Sequence, residues 1–473
     1  PAVTAQVMER VLGVELPAEA ATYLRPTGLP VQLAQGVFGL DALGLLPRLA
    51  WLAQNQPQLP EREAAAIPAL LHWASACFHL HLKATAYAIG AFGLLSQLAA
   101  RRLPADGSPA LSQILFGQED IQTAAQGLSL WRLAEKVQGD PALLSFVQSS
   151  AGWTEVSQQA ACLEGGDQFL QEFAAFLAAN GDRAAGEFEL AVPRWREDPT
   201  YVLEVLRINL ASMQAGNLQG ATTFHQERQA ALMEIQSALQ PAERWAFNRW
   251  LASYRRYATL RENVKYRLIQ GYARLRQAFL RKGRLLVEAG TLEDTDQVFF
   301  LSPGEIRIAE AGGRLDRPVL DLVGERKEQH AHWQAQPAPD WIIAGPAEQD
   351  LASSAPSAPI SRPALSGIGS SPGVASGPAR VLFDAAQASS LRPGEVLVAP
   401  HTDPGWTPLF LSCKAVVTEI GGFLSHGATV AREYGIPCVV NVHGATQQIH
   451  TGDWIEVDGT KGQVIIYNTR AKI

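Results

Sequence analysis

Apolar residues recur every three to four positions over residues 70–98 and 169–177, the spacing of a helix with one buried face. Leu, Ala, Gln and Arg dominate the chain up to about residue 290, so this part is predicted mostly helical. A further helical stretch covers 241–290, as one long helix or as two joined by a break. It carries a charged face with Arg244, Arg249, Arg255, Arg256, Arg261, Lys265 and Arg267. From residue 291 the pattern changes. Val298-Phe299-Phe300-Leu301 suits a strand, and Ser302-Pro303-Gly304-Glu305 suits a turn into a short helix, giving a small α/β portion near 291–335. Residues 346–366 are rich in Pro, Ala and Ser, the composition of a flexible linker. A linker of ~20 residues spans roughly 25 Å, more where proline stiffens it. Beyond it, Ala415-Val416-Val417-Thr418 and Cys438-Val439-Val440 suit buried strands, with a short helix between them.

The turn before that short helix holds the most telling chemistry. Gly421 and Gly422 free the backbone, Ser425 is placed to cap the helix, and His426 follows it. Gly435 stands where a helix C-cap belongs, and Pro437 stops the helix. Amide groups at a helix start attract anions and disfavour an imidazolium. A neutral imidazole there keeps a lone pair, and neutral imidazole is a nucleophile toward phosphorus. The structural alternative is a capping histidine with no chemistry.

Composition narrows the classes. With 473 residues the chain is long enough for two or more domains, and its formal charge of −7 argues against nonspecific nucleic-acid binding. Cys77, Cys162, Cys413 and Cys438 form no CxxC pair, which fits reduced thiols in a cytoplasmic protein. No signal peptide is evident. The apolar stretch 84–99 is short for a membrane span and suits a buried helix. His79 and His81 lie two apart, on different helix faces, as do His330 and His332; no convincing metal site emerges. His401 suits either a turn or a place near His426.

The last hundred residues resemble the phosphohistidine (swivelling) domain of the phosphoenolpyruvate-utilising enzymes. The resemblance rests on Gly367-Ile368-Gly369-Ser370-Ser371-Pro372-Gly373, on Pro400-His401-Thr402-Asp403-Pro404-Gly405-Trp406-Thr407-Pro408, on Gly421-Gly422-Phe423-Leu424-Ser425-His426-Gly427, and on Gly452-Asp453-Trp454. It departs at Gly427-Ala428-Thr429, where many members have Ala-Ala-Ile. The resemblance implies that His426 is phosphorylated, that Ser425, Gly422 and Thr402 lie around the phosphoryl group, and that residues 367–473 form a small α/β domain that swings on the linker. Upstream, Gly181-Asp182-Arg183, Gly186-Glu187, Pro193-Arg194-Trp195 and Arg261-Glu262-Asn263-Val264-Lys265 are similar to the helical substrate domain of the rifampin phosphotransferase group. Arg261 and Lys265, four apart, share a helix face; by the resemblance they hold a phosphoryl group in flight, and the alternative is a solvated charged face. Arg183 and Arg194 are candidates for the same site, or members of a structural ion-pair cluster.

The expected architecture is therefore a large, mostly α-helical substrate domain over 1–345, followed by the linker and a small α/β phosphohistidine domain. Such enzymes use an ATP-grasp domain to charge the histidine, and no glycine-rich phosphate loop of the usual spacing occurs here. ATP and Mg²⁺ are thus expected at an ATP-grasp partner subunit or missing domain. The expected activity is dikinase-type transfer from ATP through His426 to a small-molecule acceptor, apolar or aromatic given the Trp and Phe content nearby. A ligase-like enzyme that activates its substrate by phosphorylation, and a phosphocarrier without catalysis of its own, remain as alternatives.

Overall fold

The computed structural model describes residues 67–103, 111, 113–115, 121–216, 221–336 and 364–467, without the side chains of 221–227 and 386. Among the described residues up to 334, the α-helices are α1 (Ile67–Arg102), α2 (Gln122–Gln138), α3 (Pro141–Ser149), α4 (Trp153–Gln159), α5 (Gly166–Asn180), α6 (Thr200–Gln214), α7 (Ala221–Ala238), α8 (Pro241–Glu288), α9 (Pro303–Glu310) and α10 (Val319–Gln334). The helical periodicity over 70–98 and 169–177 is realised as α1 and α5. The stretch 84–99 lies within α1, and Ala84, Ala88, Ala91 and Leu95 are buried against α8 residues such as Phe247, Leu251 and Tyr254. Among the described residues no helix is long and apolar enough to cross a membrane. The 241–290 stretch is one unbroken helix of 48 residues.

Two compact units divide the chain. One holds Pro68–Ala273 and Ala364–Ile473; the other holds Arg274–Pro363 with Arg62–Ile67. Within the second unit, Leu286, Leu292, Val298, Ile306 and Val323 form a small core. The strand expected at 298–301 is instead the end of a 3₁₀ helix, Thr295–Phe300. Asp294 and Gln297 close a capping box there, and this local pairing outweighs the β-propensity of Val298 and the two phenylalanines. The portion near 291–335 is accordingly helical, with no strand among the described residues. The short helix after Ser302 forms as expected: it opens on a capping box between Ser302 and Glu305.

In the first unit an eight-stranded sheet runs in the order β1-β8-β7-β3-β4-β5-β6-β2. Its strands are β1 (Ala364–Ser366), β2 (Ile368–Ser371), β3 (Val374–Val381), β4 (Val396–Ala399), β5 (Ala415–Thr418), β6 (Cys438–Val440), β7 (Trp454–Asp458) and β8 (Gln463–Tyr467). Strands β3 to β6 are parallel, with Val398 opposite Val417 and Val417 opposite Val439. All residues of β4, β5 and β6 are buried, as expected of a parallel sheet covered on both faces. Strand β1 pairs antiparallel with β8. Residues 364–366, expected in the linker, therefore belong to the sheet; the rest of the linker lies outside the described residues.

Three short helices complete this part: α11 (Thr407–Phe410), α12 (His426–Tyr434) and α13 (Ala445–Gln448). One sheet face packs Val398, Val417, Val439 and Ile455 with Val442, Ala445 and Ile449. The opposite side, through Leu397, Val416, Phe410, Ala428 and Tyr434, shares a continuous core with Leu130, Phe173 and Leu206 of the helical part. That shared core sets α12 against the helices.

Candidate functional site

α12 starts from Ser425 and ends in a left-handed Gly435, φ 67° and ψ 32°. The Gly435 amide donates to Arg432 and the Ile436 amide to Ala431, a Schellman closure, and Pro437 follows. Ser425 occupies the N-cap position, but its hydroxyl makes no capping bond; its carbonyl accepts the Thr429 amide instead. Next in the helix, Gly427 is packed so closely under Thr402 that a Cβ there would meet Thr402 Oγ1 at 2.6 Å. A Cβ on Gly422 would meet nothing within 4 Å, so Gly422 is not required for close approach.

His426 is the first residue of α12 and is 7 % exposed. Its Nε2 lies 3.0 Å from Thr407 Oγ1. Its Nδ1 is buried without a hydrogen-bond partner. Burial, and then the charges of Lys265, Arg183 and Arg261, push its pKa well below the ordinary histidine range. The ring is neutral at pH 7, as the sequence implied. The causes are burial and three cations that come from the helical part, rather than the helix terminus.

Those cations are held in place. The Arg261 guanidinium donates to the Leu424 carbonyl, two residues before His426, and to Glu262 Oε1 at 2.5 Å. Glu262 is buried. Burial alone would raise its pKa, but Arg261, Lys265 and His81 outweigh it and the net shift is downward. Arg183 is bound by Glu187 Oε2 at 2.8 Å and by Thr123 Oγ1 at 2.9 Å, and it lies 4.7 Å from the centre of the Tyr266 ring. Lys265 Nζ stands 3.7 Å from Glu187 Oε1 and 5.5 Å from the Phe188 ring centre. The 181–195 segment thus folds Arg183 and Glu187 into the site. Arg194 is fully buried and donates to the Glu189 carbonyl at 3.2 Å, which places it as a brace of that segment. His81 Nδ1 donates to the Arg261 carbonyl, 3.0 Å away, and burial together with Arg261 lowers its pKa to about 4. His401 is exposed.

Several residues that the linear reading passed over hold the two parts together. The Phe423 ring stacks on Phe92 at 4.2 Å, with the Arg432 guanidinium 4.2 Å from its centre. Tyr434 Oη donates to the Ala124 carbonyl at 2.8 Å, and Tyr201 Oη to Gly405 at 2.7 Å. Asp403 Oδ2 accepts the Gly186 amide at 2.6 Å. Burial, then Glu187, raises the Asp403 pKa. Thr407, Asp403 and Phe423 all lie within the motifs quoted above, so their neighbourhood was marked; that Thr407 meets His426, Asp403 meets Gly186 and Phe423 meets Phe92 was not. Among the described residues, no group of three or more His, Cys, Asp or Glu is arranged to hold a metal ion.

Comparison with known proteins follows the same division. Residues 80–262 match the model of the rifampicin phosphotransferase fourth domain, and residues 391–462 match the mobile domain of the PEP-utilising enzymes. A rifampicin phosphotransferase of Streptomyces sviceus is 31 % identical over 351 residues, covering 73 % of this chain and 40 % of the relative. One from Bacillus subtilis is 29 % identical over 359 residues, with 73 % and 40 % covered. The prodigiosin synthesizing transferase PigC of Serratia marcescens is 32 % identical over 378 residues, with 77 % and 41 % covered. The chain spans about two fifths of the length of the curated relatives it matches.

Proposed function

We propose, from the premise that this chain carries a mobile domain of the phosphoenolpyruvate-utilising enzymes and a helical domain of the rifampicin phosphotransferase type, that it is the transfer half of a phosphohistidine phosphotransferase. His426 accepts a phosphoryl group on a ring nitrogen, and the group passes to a small-molecule acceptor at the helical part. The observation that carries this reading is a buried imidazole at a helix start, two residues after the Leu424 carbonyl that Arg261 binds, with burial and the charges of Lys265, Arg183 and Arg261 holding its pKa down. A neutral ring is nucleophilic. The three cations offset the dianionic charge of a phosphoryl group and the charge that spreads over its oxygens during transfer. Positioned donors of this kind are each worth roughly 3–4 kcal/mol of barrier.

The described arrangement is then the delivery state. In the charging state the α/β part swings away, so that His426 meets a nucleotide. ATP and Mg²⁺ belong to an ATP-grasp subunit or domain, and Mg²⁺ would there neutralise nucleotide phosphates; the described residues supply cations from protein side chains instead. Thr402 and Ser425, on either side of the α12 start, are proposed to face the phosphoryl group, and Gly422 to leave room for it. Arg194 acts through the 181–195 segment.

The acceptor is an alcohol or similar nucleophile. Rifampicin is the first compound to try, because two similar proteins are named for it. The experiment supplies ATP labelled in the β-phosphate, an ATP-grasp protein and rifampicin. The proposal expects label first on the chain, then on the compound. Label on the compound when His426 is replaced by Ala would overturn it. Likeness to a prodigiosin synthesizing transferase favours a second reading, in which phosphorylation activates a substrate for condensation. A condensed product free of phosphate would select it.

A further inference from the structure

Three carboxylates lie in the site described above, and neither Asp403 nor Glu262 has a buried oxygen left without a hydrogen bond. Asp403 accepts an amide on each oxygen, from Gly186 and from Gly405. Glu262 is tied to Arg261. Glu187 differs. Its Oε2 is bound by Arg183, while its Oε1 accepts no hydrogen bond although the side chain is 1 % exposed. The ammonium of Lys265 is 3.7 Å from that oxygen, beyond hydrogen-bond reach. A buried carboxylate oxygen without a donor is costly, and such a group in a native fold calls for a ligand or a catalytic role. The donor that a delivery site lacks until it is loaded is the acceptor's own O–H.

We infer that Glu187 is the general base of the delivery step, a role that rests on the phosphotransfer reading above. The acceptor hydroxyl donates to Glu187 Oε1. Its O–H bond breaks and the proton passes to Oε1. Its oxygen forms the new P–O bond while the P–N bond to His426 breaks. The electron pair of the P–N bond returns to the ring, whose other nitrogen keeps its proton, so the histidine leaves neutral. Glu187 gives its proton to solvent when the two parts separate. Arg183 fixes the carboxylate, being itself held by Thr123 and placed over the Tyr266 ring. Entry for the acceptor lies beside Phe188. That ring is 47 % exposed, meets Tyr272 edge-on at 5.5 Å, and carries Lys265 above it.

The test needs no identified acceptor, because water is one. The whole chain is charged at His426 with ³²P-phosphoramidate, and release of inorganic phosphate is followed in H₂O and D₂O. Glu187→Gln takes up as much label as wild type but discharges it at least about tenfold more slowly, since general-base catalysis contributes roughly 10²–10⁴-fold at a good site. Wild-type discharge is slower in D₂O, and this isotope effect collapses in the variant; Glu187→Asp lies between the two. A loss smaller than about fivefold, or an isotope effect that the substitution leaves unchanged, overturns the assignment. Should Glu187→Gln fail to fold, Glu187→Asp decides by the same isotope effect. A wild-type chain that takes no label at His426 overturns the phosphotransfer reading, and this inference with it.

Discussion

Gly127 sits inside α2, where alanine would normally be the better residue by about 1 kcal/mol. Here a Cβ would lie 2.1 Å from Tyr434 Oη and 3.0 Å from its Cζ. The Tyr434 ring is 3 % exposed and its hydroxyl donates to Ala124, one turn away on the same helix. The ring has only two torsions and no open space to turn into. Gly127→Ala must therefore either break the Tyr434 bond, at about 1–3 kcal/mol, or push the α/β part off the helices, an overpacking cost of about 1–3 kcal/mol. At the upper end of that range, about 3 kcal/mol, the delivery state is weakened roughly a hundredfold. The helical part by itself gains stability, because α2 loses a glycine. These opposite signs make the variant informative. The assay pairs the rate of phosphate transfer from charged His426 with energy transfer between dyes on the two parts. Transfer falls roughly a hundredfold, the dyes separate, and charging with phosphoramidate is unaffected. Tyr434→Phe, added to Gly127→Ala, restores part of the loss by removing the hydroxyl. If Gly127→Ala stays docked and discharges at the wild-type rate, the described interface is not the delivery state.

Other outcomes follow from the same geometry. Gly435→Ala places a Cβ at φ 67° and lowers stability by about 1–2 kcal/mol in a urea titration, because left-handed backbone costs an L side chain that much. Arg261→Gln and Lys265→Gln each cut transfer by roughly 10²–10³-fold while phospho-His426 still forms, measured by trapping label in acid-quenched and alkali-quenched samples. Stability falls with acid. His81 has a folded pKa of about 4, and His426 is also depressed, against an ordinary value of 6.5. The unfolded chain binds these protons first, so the stabilisation is complete above about pH 6.5 and is lost as pH falls toward 4. Thermal melts at pH 7 and pH 5 show the drop, and His81→Gln flattens it.

Local order was legible where local chemistry decides it. Strands β5 and β6, the α12 start at Ser425 and His426, and its end at Gly435 and Pro437 are all set within a few residues of themselves. At Thr295–Phe300 the run Val298-Phe299-Phe300-Leu301 pointed to a strand, whereas the capping pair Asp294 and Gln297 sets a 3₁₀ turn. Residues 364–366 looked like linker because strand β8, which pairs with them, comes a hundred residues later. Histidine chemistry was legible as a neutral ring, but its main electrostatic cause was not. Burial and cations from the helical part, rather than the helix terminus, keep the proton off. Tyr434 and Ala124 are 310 positions apart, and no spacing rule joins them. Glu187 stood in a quoted motif, yet that its Oε1 accepts no hydrogen bond is visible only in the fold, beside Arg183 and Lys265.

The most direct measurement is mass-spectrometric mapping of phosphate on the whole chain after charging, with alkaline handling to preserve phosphohistidine. The account predicts one acid-labile phosphate, on His426, absent from His426→Ala and discharged when an acceptor is added. Phosphate on any other residue, or label that persists in His426→Ala, would contradict it.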